Sequence, residues 1–250
     1  MNWSRVKTIL ILCLLGVNAV LLTLYGANAL RAYRQEQQDR EHLLAALERQ
    51  GVSVAETVSL PDSRPKGREI LLLQDQARER ELAETLLGKD TSLDSGLYTG
   101  ENGALRFRGG GYLELGCRKL EERTAKEAFS AGKEALEAGV IPQTWDGCPV
   151  YNSGLTVSEE GDGSVSVTGR WLLGTSVGES SGSVRSAATV LLRYAALYGA
   201  AGPTVTALEQ GYMASTEAPG YLRLTPVWKI TTDQGAVYFS AVSGEEETLG

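Results

Sequence analysis

The chain has 250 residues, of which 42% are hydrophobic and 22% are charged, so it can build a packed core and is not expected to be disordered as a whole. Its formal net charge is −7. The first 40 residues contain five basic and two acidic side chains, so the remaining 210 residues carry a net charge of −10. An acidic globular part argues against nucleic acid as a partner, because phosphate binding needs a basic surface.

The first predicted element is a transmembrane helix over residues 8–30, a run of 23 residues without a formal charge. Such a helix would be about 34 Å long, enough to span a hydrocarbon core of about 30 Å. Basic residues flank the run on both sides, where anionic lipid headgroups attract them. Residues 1–7 then form a cytoplasmic tail, and the long C-terminal part lies outside, since large domains translocate largely regardless of charge.

A cleaved signal peptide is the alternative interpretation of this segment. Residues 1–7 are basic, and Ala27-Asn28-Ala29 has the small-residue form of a cleavage site. However, the apolar run exceeds the usual 7–15 residues of a signal peptide, so we expect the segment to be retained as an anchor.

One face of the predicted transmembrane helix carries small or weakly polar side chains at helical spacing. The members of this small-residue face are Cys13, Gly16, Ala19, Thr23 and Gly26, with Asn18 beside it. Small side chains let a second helix approach closely in lipid, and an asparagine can bond across the interface. These positions therefore predict a helix–helix interaction site, although such residues are also common in membrane helices in general.

The elements predicted next alternate between helices and short strands. They are a helix over 31–50, a strand over 52–60, a loop over 61–67, a strand over 70–73, a helix over 74–87, a hairpin of 96–100 with 104–108 around an Asn-Gly turn, and a strand over 112–115.

The second part of the chain repeats this order. It is predicted to contain a helix over 124–138, a hairpin of 155–157 with 164–168, an extension or further strand over 171–173, a helix over 184–197 and a final hairpin of 224–231 with 236–242. The order predicts an α+β fold with helices packed on antiparallel sheets, in two similar lobes over residues 31–118 and 119–250.

Residues that carry chemistry are sparse outside the predicted membrane segment. His42 is the single histidine and lies on a predicted surface helix, without the partners that a metal site or a catalytic triad requires. The glycine runs lack the residues of a phosphate-binding loop. We therefore expect no catalytic residue, no metal and no cofactor, and we expect that the protein is not an enzyme.

Two cysteines of the outer part, Cys117 and Cys148, stand 31 positions apart. An oxidising exterior would permit a disulfide between them. Two free thiols are the other interpretation, because sequence does not give the distance between the side chains.

Both ends of the chain resemble the YycI family of regulators of the WalK/WalR (YycG/YycF) two-component system. The N-terminal resemblance lies in the run Met1-Asn2-Trp3-Ser4-Arg5-Val6-Lys7-Thr8-Ile9, which leads directly into the apolar segment. The C-terminal resemblance lies in Leu224-Thr225-Pro226-Val227-Trp228-Lys229-Ile230, Gly235-Ala236-Val237-Tyr238-Phe239 and Gly244-Glu245, which are also similar to the closing hairpin of PepSY-like domains.

The resemblance implies a single-pass protein of the cell membrane with a YycH/YycI-like extracellular domain. Its implied partners are a WalK-type sensor histidine kinase and a YycH-like protein, contacted through transmembrane helices, and its implied role is signal transduction that controls cell-wall metabolism. The alternative is an extracytoplasmic PepSY-like module that binds a peptide, a protease or a cell-wall ligand.

Overall fold

The computed structural model describes residues 37–59, 67–180 and 183–249. The predicted transmembrane helix over 8–30 and its small-residue face lie outside these residues. Within the described ranges, no helix is long and apolar enough to cross a membrane.

The helices of the described residues are short, and side chains cap two of them. They are α1 (37–49), α2 (Gln76–Leu87), α3 (Glu122–Phe129), α4 (Lys133–Glu137) and α5 (Ala187–Tyr198). Asp75 accepts from the first amides of α2, and Ser186 accepts from an amide of α5, which satisfies donors that have no partner inside the helix.

The single helix predicted over 124–138 is wrong, because the structure places two helices there. Ser130 ends α3 in the left-handed conformation, at φ 55°, and Gly132 begins α4. Continuous right-handed helix cannot pass through a left-handed residue. Hydrophobic spacing carries no information about this break.

Most of the fold is one large, mainly antiparallel sheet, so the protein belongs to the mixed α+β class with few helices. Its strands are β1 (Ser53–Val54), β2 (Ile70–Gln74), β3 (Ser92–Asp94), β4 (Leu97–Gly100), β5 (Gly103–Arg108), β6 (Tyr112–Cys117), β7 (Val140–Trp145), β8 (Cys148–Glu159), β9 (Val165–Arg170), β10 (Gly174–Glu179), β11 (Thr204–Ala218), β12 (Tyr221–Thr232), β13 (Gly235–Ser240) and β14 (Glu246–Glu247). The main order of strands is β10-β2-β12-β11-β8-β9-β6-β5-β4-β3.

The sheet has two parts, which we name by their place in the chain. The central subsheet contains β3–β9, and the terminal subsheet contains β1, β2 and β10–β14 from both ends of the described chain. A single parallel residue pair, Tyr212 with Val150, joins them between β11 and β8. The sequence predicted lobes that divide near residue 118, whereas strand pairing crosses this point, since β6 pairs with β9.

The three predicted hairpins are confirmed as β4–β5, β8–β9 and β12–β13. The strand predicted over 52–60 is too long, because among its described residues, 52–59, only Ser53 and Val54 form strand pairs, in parallel with β11. Residues 171–173 are neither a strand nor an extension of β9, since they connect β9 to β10 without strand pairing.

Each subsheet has its own apolar core, and a third cluster lies where they meet. Helices α2 and α3 cover the central subsheet through side chains such as Leu86 and Phe129. Helices α1 and α5 cover the terminal subsheet, where Trp228 and Phe239 are 1% and 0% exposed. The junction cluster contains Val150 and residues of β2, β11 and β12. Its apolar contacts supplement the single residue pair between the subsheets.

Candidate functional site at the junction of the subsheets

Side-chain hydrogen bonds to the main chain fix the two subsheets beside the single residue pair between them. The side-chain amide of Asn152 on β8 forms two hydrogen bonds with the main chain of Ala214 on β11. Its Nδ2 donates to the Ala214 carbonyl oxygen at 2.9 Å, and its Oδ1 accepts from the Ala214 amide nitrogen at 2.8 Å. Gly211 lets the strands approach, since a Cβ there would lie 2.5 Å from Pro149 O. The junction is therefore specified by particular residues, not only by apolar contact.

Arg170, the last residue of β9, contacts both sides of this junction. Its Nε donates to Gly110 O at 2.9 Å in the central subsheet, and its Nη1 donates to Ala214 O at 2.7 Å in the terminal subsheet. Its guanidinium carbon lies 5.3 Å from the centre of the Tyr112 ring, within the range of a cation–π interaction. Three contacts thus hold a half-buried charge in a fixed orientation.

A buried polar network holds the chain segment that carries Arg170. Ser153 Oγ lies 2.6 Å from Gln143 Oε1 and 2.9 Å from Arg170 O. The Gln143 side chain also bonds Leu172 in both directions, at 2.9 Å and 3.0 Å. Gln143 and Ser153 are only 7% and 8% exposed. Because buried polar groups are costly when unpaired, this network favours one backbone path after β9.

Two neighbouring clefts open at the junction. The Arg170 cleft has a volume of about 310 Å³ and is lined by Tyr112, Asn152, Arg170, Met213, Ala214, Ser215, Thr225, Glu247 and Thr248. The tyrosine cleft has a volume of about 400 Å³ and is lined by Gln74, Gly109, Gly110, Tyr112, Thr216, Ala218, Pro219, Gly220, Tyr221 and Leu222. Tyr112 lines both, so the clefts adjoin. Such volumes fall in the lower range of small-ligand sites.

The glycine run at 109–111 shapes the wall between the clefts. Gly110 has φ 78°, and a Cβ there would lie 3.0 Å from Thr216 Oγ1 and 3.6 Å from Arg170 Nη2. Glycine therefore suits both the backbone conformation and the close approach of β11. The sequence predicts separate strands before and after this run, over 104–108 and 112–115, and the structure adds a role in forming the cleft.

Glu247 is the acidic residue that lines the Arg170 cleft. Burial raises the pKa of its carboxyl, and the nearby Glu245 carboxylate raises it further. Both effects disfavour the ionised form. A carboxylate facing the same cleft as Arg170 opposes the binding of an anion there.

The two cysteines are free thiols in the structure, so it does not contain the disulfide that the sequence allowed. Cys117 is aligned through β9 with Glu159, at the end of β8, whereas Cys148 begins that strand. Eleven residues of strand correspond to roughly 35 Å, far beyond the Cα separation of a disulfide. Burial raises the pKa of the Cys117 thiol, which disfavours the reactive thiolate.

The remaining residues considered from sequence lie elsewhere or outside the described ranges. The small-residue face of the transmembrane helix is outside the described residues. His42 is exposed on α1. In the part of the chain that the structure describes, no group of three or more histidine, cysteine or acidic residues is placed to hold a metal ion.

Sequence reasoning missed Arg170, Tyr112 and Asn152 as site residues. Their partners are distant in the chain, since Arg170 and Ala214 stand 44 positions apart. The glycine run directly before Tyr112 was the only local signal, and it indicates a turn rather than a ligand.

No protein-family model and no curated protein sequence matches this chain. An uncharacterized protein from Eubacterium rectale, known from a crystal structure, is similar with a TM-score of 0.43 and 11% identity, over 84% of this chain and 98% of that chain. This similarity is too low to carry an argument about function. The fold thus defines a class, a mixed α+β protein with a dominant antiparallel sheet.

Proposed function

We propose that this chain is a single-pass membrane protein that regulates a sensor histidine kinase by protein–protein contacts and has no enzymatic activity of its own. The observation that carries the proposal is the uncharged run over 8–30, preceded by a sequence that resembles the start of YycI-type regulators. The proposed partners are a WalK-type kinase and a YycH-like protein, and the proposed orientation places the N-terminus in the cytoplasm.

The C-terminal hairpin supports this proposal. The segments that resemble the family's closing hairpin are paired as β12 and β13, with Trp228 opposite Phe239. Both side chains are buried in the terminal core, and the indole nitrogen of Trp228 donates to Arg185 O at 3.1 Å. The residues that carry the resemblance therefore have a structural role in the outer domain. The two similar lobes of the YycH/PepSY-like arrangement remain part of the proposal.

Helix α1 follows the proposed membrane segment in the chain and packs on the core of the proposed outer domain, so it could connect the two physically. Leu47 is fully buried in the terminal core, and Leu43 packs against the same cluster one turn earlier. The turn after α1 also meets the turn after α5 at close range, since a Cβ on Gly199 would lie 1.9 Å from Gln50 O. Movement of α1 would therefore disturb the core, so the proposed membrane segment and the outer domain would be mechanically linked.

Contact alone does not make a regulator. A regulator must bind the two states of the kinase with different affinity, because only a difference in binding free energy shifts their equilibrium. A helix with a small-residue face could supply this difference by packing closely against one arrangement of the kinase helices.

An anchor exchange tests the proposal. Residues 8–30 are replaced by an unrelated transmembrane helix of the same length, and the output of kinase target genes is measured in cells that depend on the chain. We expect regulation to be lost while the protein stays in the membrane. Unchanged regulation would show that the transmembrane contacts are not needed.

Single substitutions refine the same test. Gly16→Leu and Ala19→Leu enlarge the small-residue face, whereas Leu21→Phe enlarges a side chain that is not three or four residues from any member of that face. We expect the first two to reduce crosslinking to a kinase helix and the third to leave it unchanged. Equal crosslinking for all three would remove the small-residue face from the account.

The second candidate function is a binding module for a peptide, a protease or a cell-wall ligand. The two adjoining clefts at the junction favour it. If this function stands alone, regulation survives the anchor exchange and is lost when the clefts are blocked.

A further inference from the structure

Arg170 carries a charge that the described residues do not neutralise. Of the ion pairs within 4.0 Å in the described ranges, none includes Arg170. Arg223, also on a strand of the sheet, differs because it pairs with Glu69 at 3.3 Å and with Glu217 at 2.8 Å. A partly desolvated charge favours an opposite charge nearby. Arg170 thus has unused capacity to bind an anion.

The guanidinium of Arg170 is already oriented for this task. Its Nε and Nη1 donate to the carbonyls of Gly110 and Ala214, and its guanidinium carbon lies 5.3 Å from the centre of the Tyr112 ring. Ordering a free arginine side chain costs free energy on binding, and a preorganised one avoids most of this cost. Planar carboxylates match the donor geometry of a guanidinium.

Neutral hydrogen-bonding groups surround the charge, and an apolar cleft adjoins it. Asn152, Ser215 and Thr225 line the Arg170 cleft. Tyr112 and Tyr221 line the tyrosine cleft and are 45% and 39% exposed, high values for large aromatic side chains. The two clefts follow β11 from Met213 to Ala218, a length of roughly 17 Å. An extended peptide of about five residues has this length.

We infer that the two clefts bind a short peptide whose free carboxylate contacts Arg170 and whose apolar or aromatic side chain occupies the tyrosine cleft. This site goes beyond the proposed regulatory function and does not depend on residues 8–30. Glu247 weakens the binding of the carboxylate, because it places a second acidic group in the Arg170 cleft.

The test uses the full chain in detergent micelles and a defined probe. The probe is the tripeptide acetyl-Ala-Ala-Phe, compared with its C-terminal amide, which lacks the charge. Binding is measured by the shift of the arginine Nε signals in NMR spectra during titration. We expect the free acid to bind at least tenfold more tightly than the amide, since a hydrogen bond to a charged group is stronger than one to a neutral group.

Four variants make the result specific. Arg170→Gln should reduce the affinity for the free acid about tenfold or more, whereas Arg223→Gln, which alters a paired arginine, should not change it. Ser215→Trp fills the Arg170 cleft without altering Arg170 and should also abolish binding, which covers the case in which Arg170→Gln fails to fold. Glu247→Gln should strengthen binding of the acid and leave binding of the amide unchanged.

Several outcomes would overturn the inference. One is equal binding of acid and amide, and another is no binding of either at millimolar concentration. A third is an unchanged affinity in Ser215→Trp. If Glu247→Gln shifts the Arg170 signal without peptide while the acid does not bind, Glu247 is the partner of Arg170 and the site is an internal ion pair.

Discussion

Replacing Leu47 by alanine tests whether α1 is fixed to the terminal core. Leu47 is fully buried and contacts the cluster that contains Trp228 and Phe239. The substitution removes three carbon atoms, or about 2.4 kcal/mol of transfer free energy at about 0.8 kcal/mol per methylene group. Incomplete collapse of the cavity adds to this, and comparable substitutions in cores cost about 2.7–5 kcal/mol. We therefore expect a loss of about 3 kcal/mol.

The control is Leu44→Ala, the same change three residues earlier in the same helix. Leu44 is only half-buried and belongs to none of the three core clusters, so we expect a loss below about 1 kcal/mol. Thermal unfolding of the full chain in detergent, followed by circular dichroism, should show a decrease in Tm of roughly 6–12 °C for Leu47→Ala. Equal decreases for the two variants would refute the docking of α1, and with it the mechanical link to the membrane segment.

Three further substitutions test other features of the core by the same measurement. Burial raises the pKa of Glu79 above its ordinary value, so ionisation of this carboxyl destabilises the folded state as pH rises above about 4.3. Glu79→Gln should therefore raise Tm at pH 7, and this gain in Tm should disappear below about pH 4. The hydroxyl of Tyr151 is buried without a hydrogen-bond partner among the described residues, so Tyr151→Phe should stabilise the fold by about 1 kcal/mol, and a loss would indicate a partner. Gly199→Ala places a Cβ 1.9 Å from Gln50 O and should cost about 1–3 kcal/mol, whereas Gly178→Ala, which meets nothing within 4 Å, should be nearly neutral; equal effects would contradict the close approach.

The hairpins were predictable because their signals are local. Asn102-Gly103 supplies the tight turn between β4 and β5. Alternating apolar residues around a short turn similarly predict β12 and β13. Glycine and side-chain caps mark several helix ends in the same way. These features depend on neighbours in sequence, and a single sequence contains them.

The longest described strand, β11, was not predicted. Residues 211–214 are buried consecutively, because β8 and β12 pair on either side and other side chains cover the strand. A strand buried on both faces lacks the alternation of apolar and polar residues that identifies a half-exposed strand. β7 was missed as well, since Pro142 interrupts its pattern, although a proline is tolerated in a strand that pairs with β8 alone.

The candidate site could not be predicted from the sequence for a related reason. The Arg170 cleft forms only when β8, β9 and β11 meet, and β11 was the missing strand. The charge on Arg170 is conspicuous because no described carboxylate neutralises it, which is a property of the folded chain. Residue type and spacing did not distinguish Arg170 from the other arginines.

The central claim, that the chain acts while anchored in a membrane, is tested most directly by the intact mass of the mature protein recovered from fractionated cells. The account predicts a chain that retains residues 1–30 and sediments with the membranes. A chain that begins near Leu30 and is recovered in the soluble fraction would contradict it.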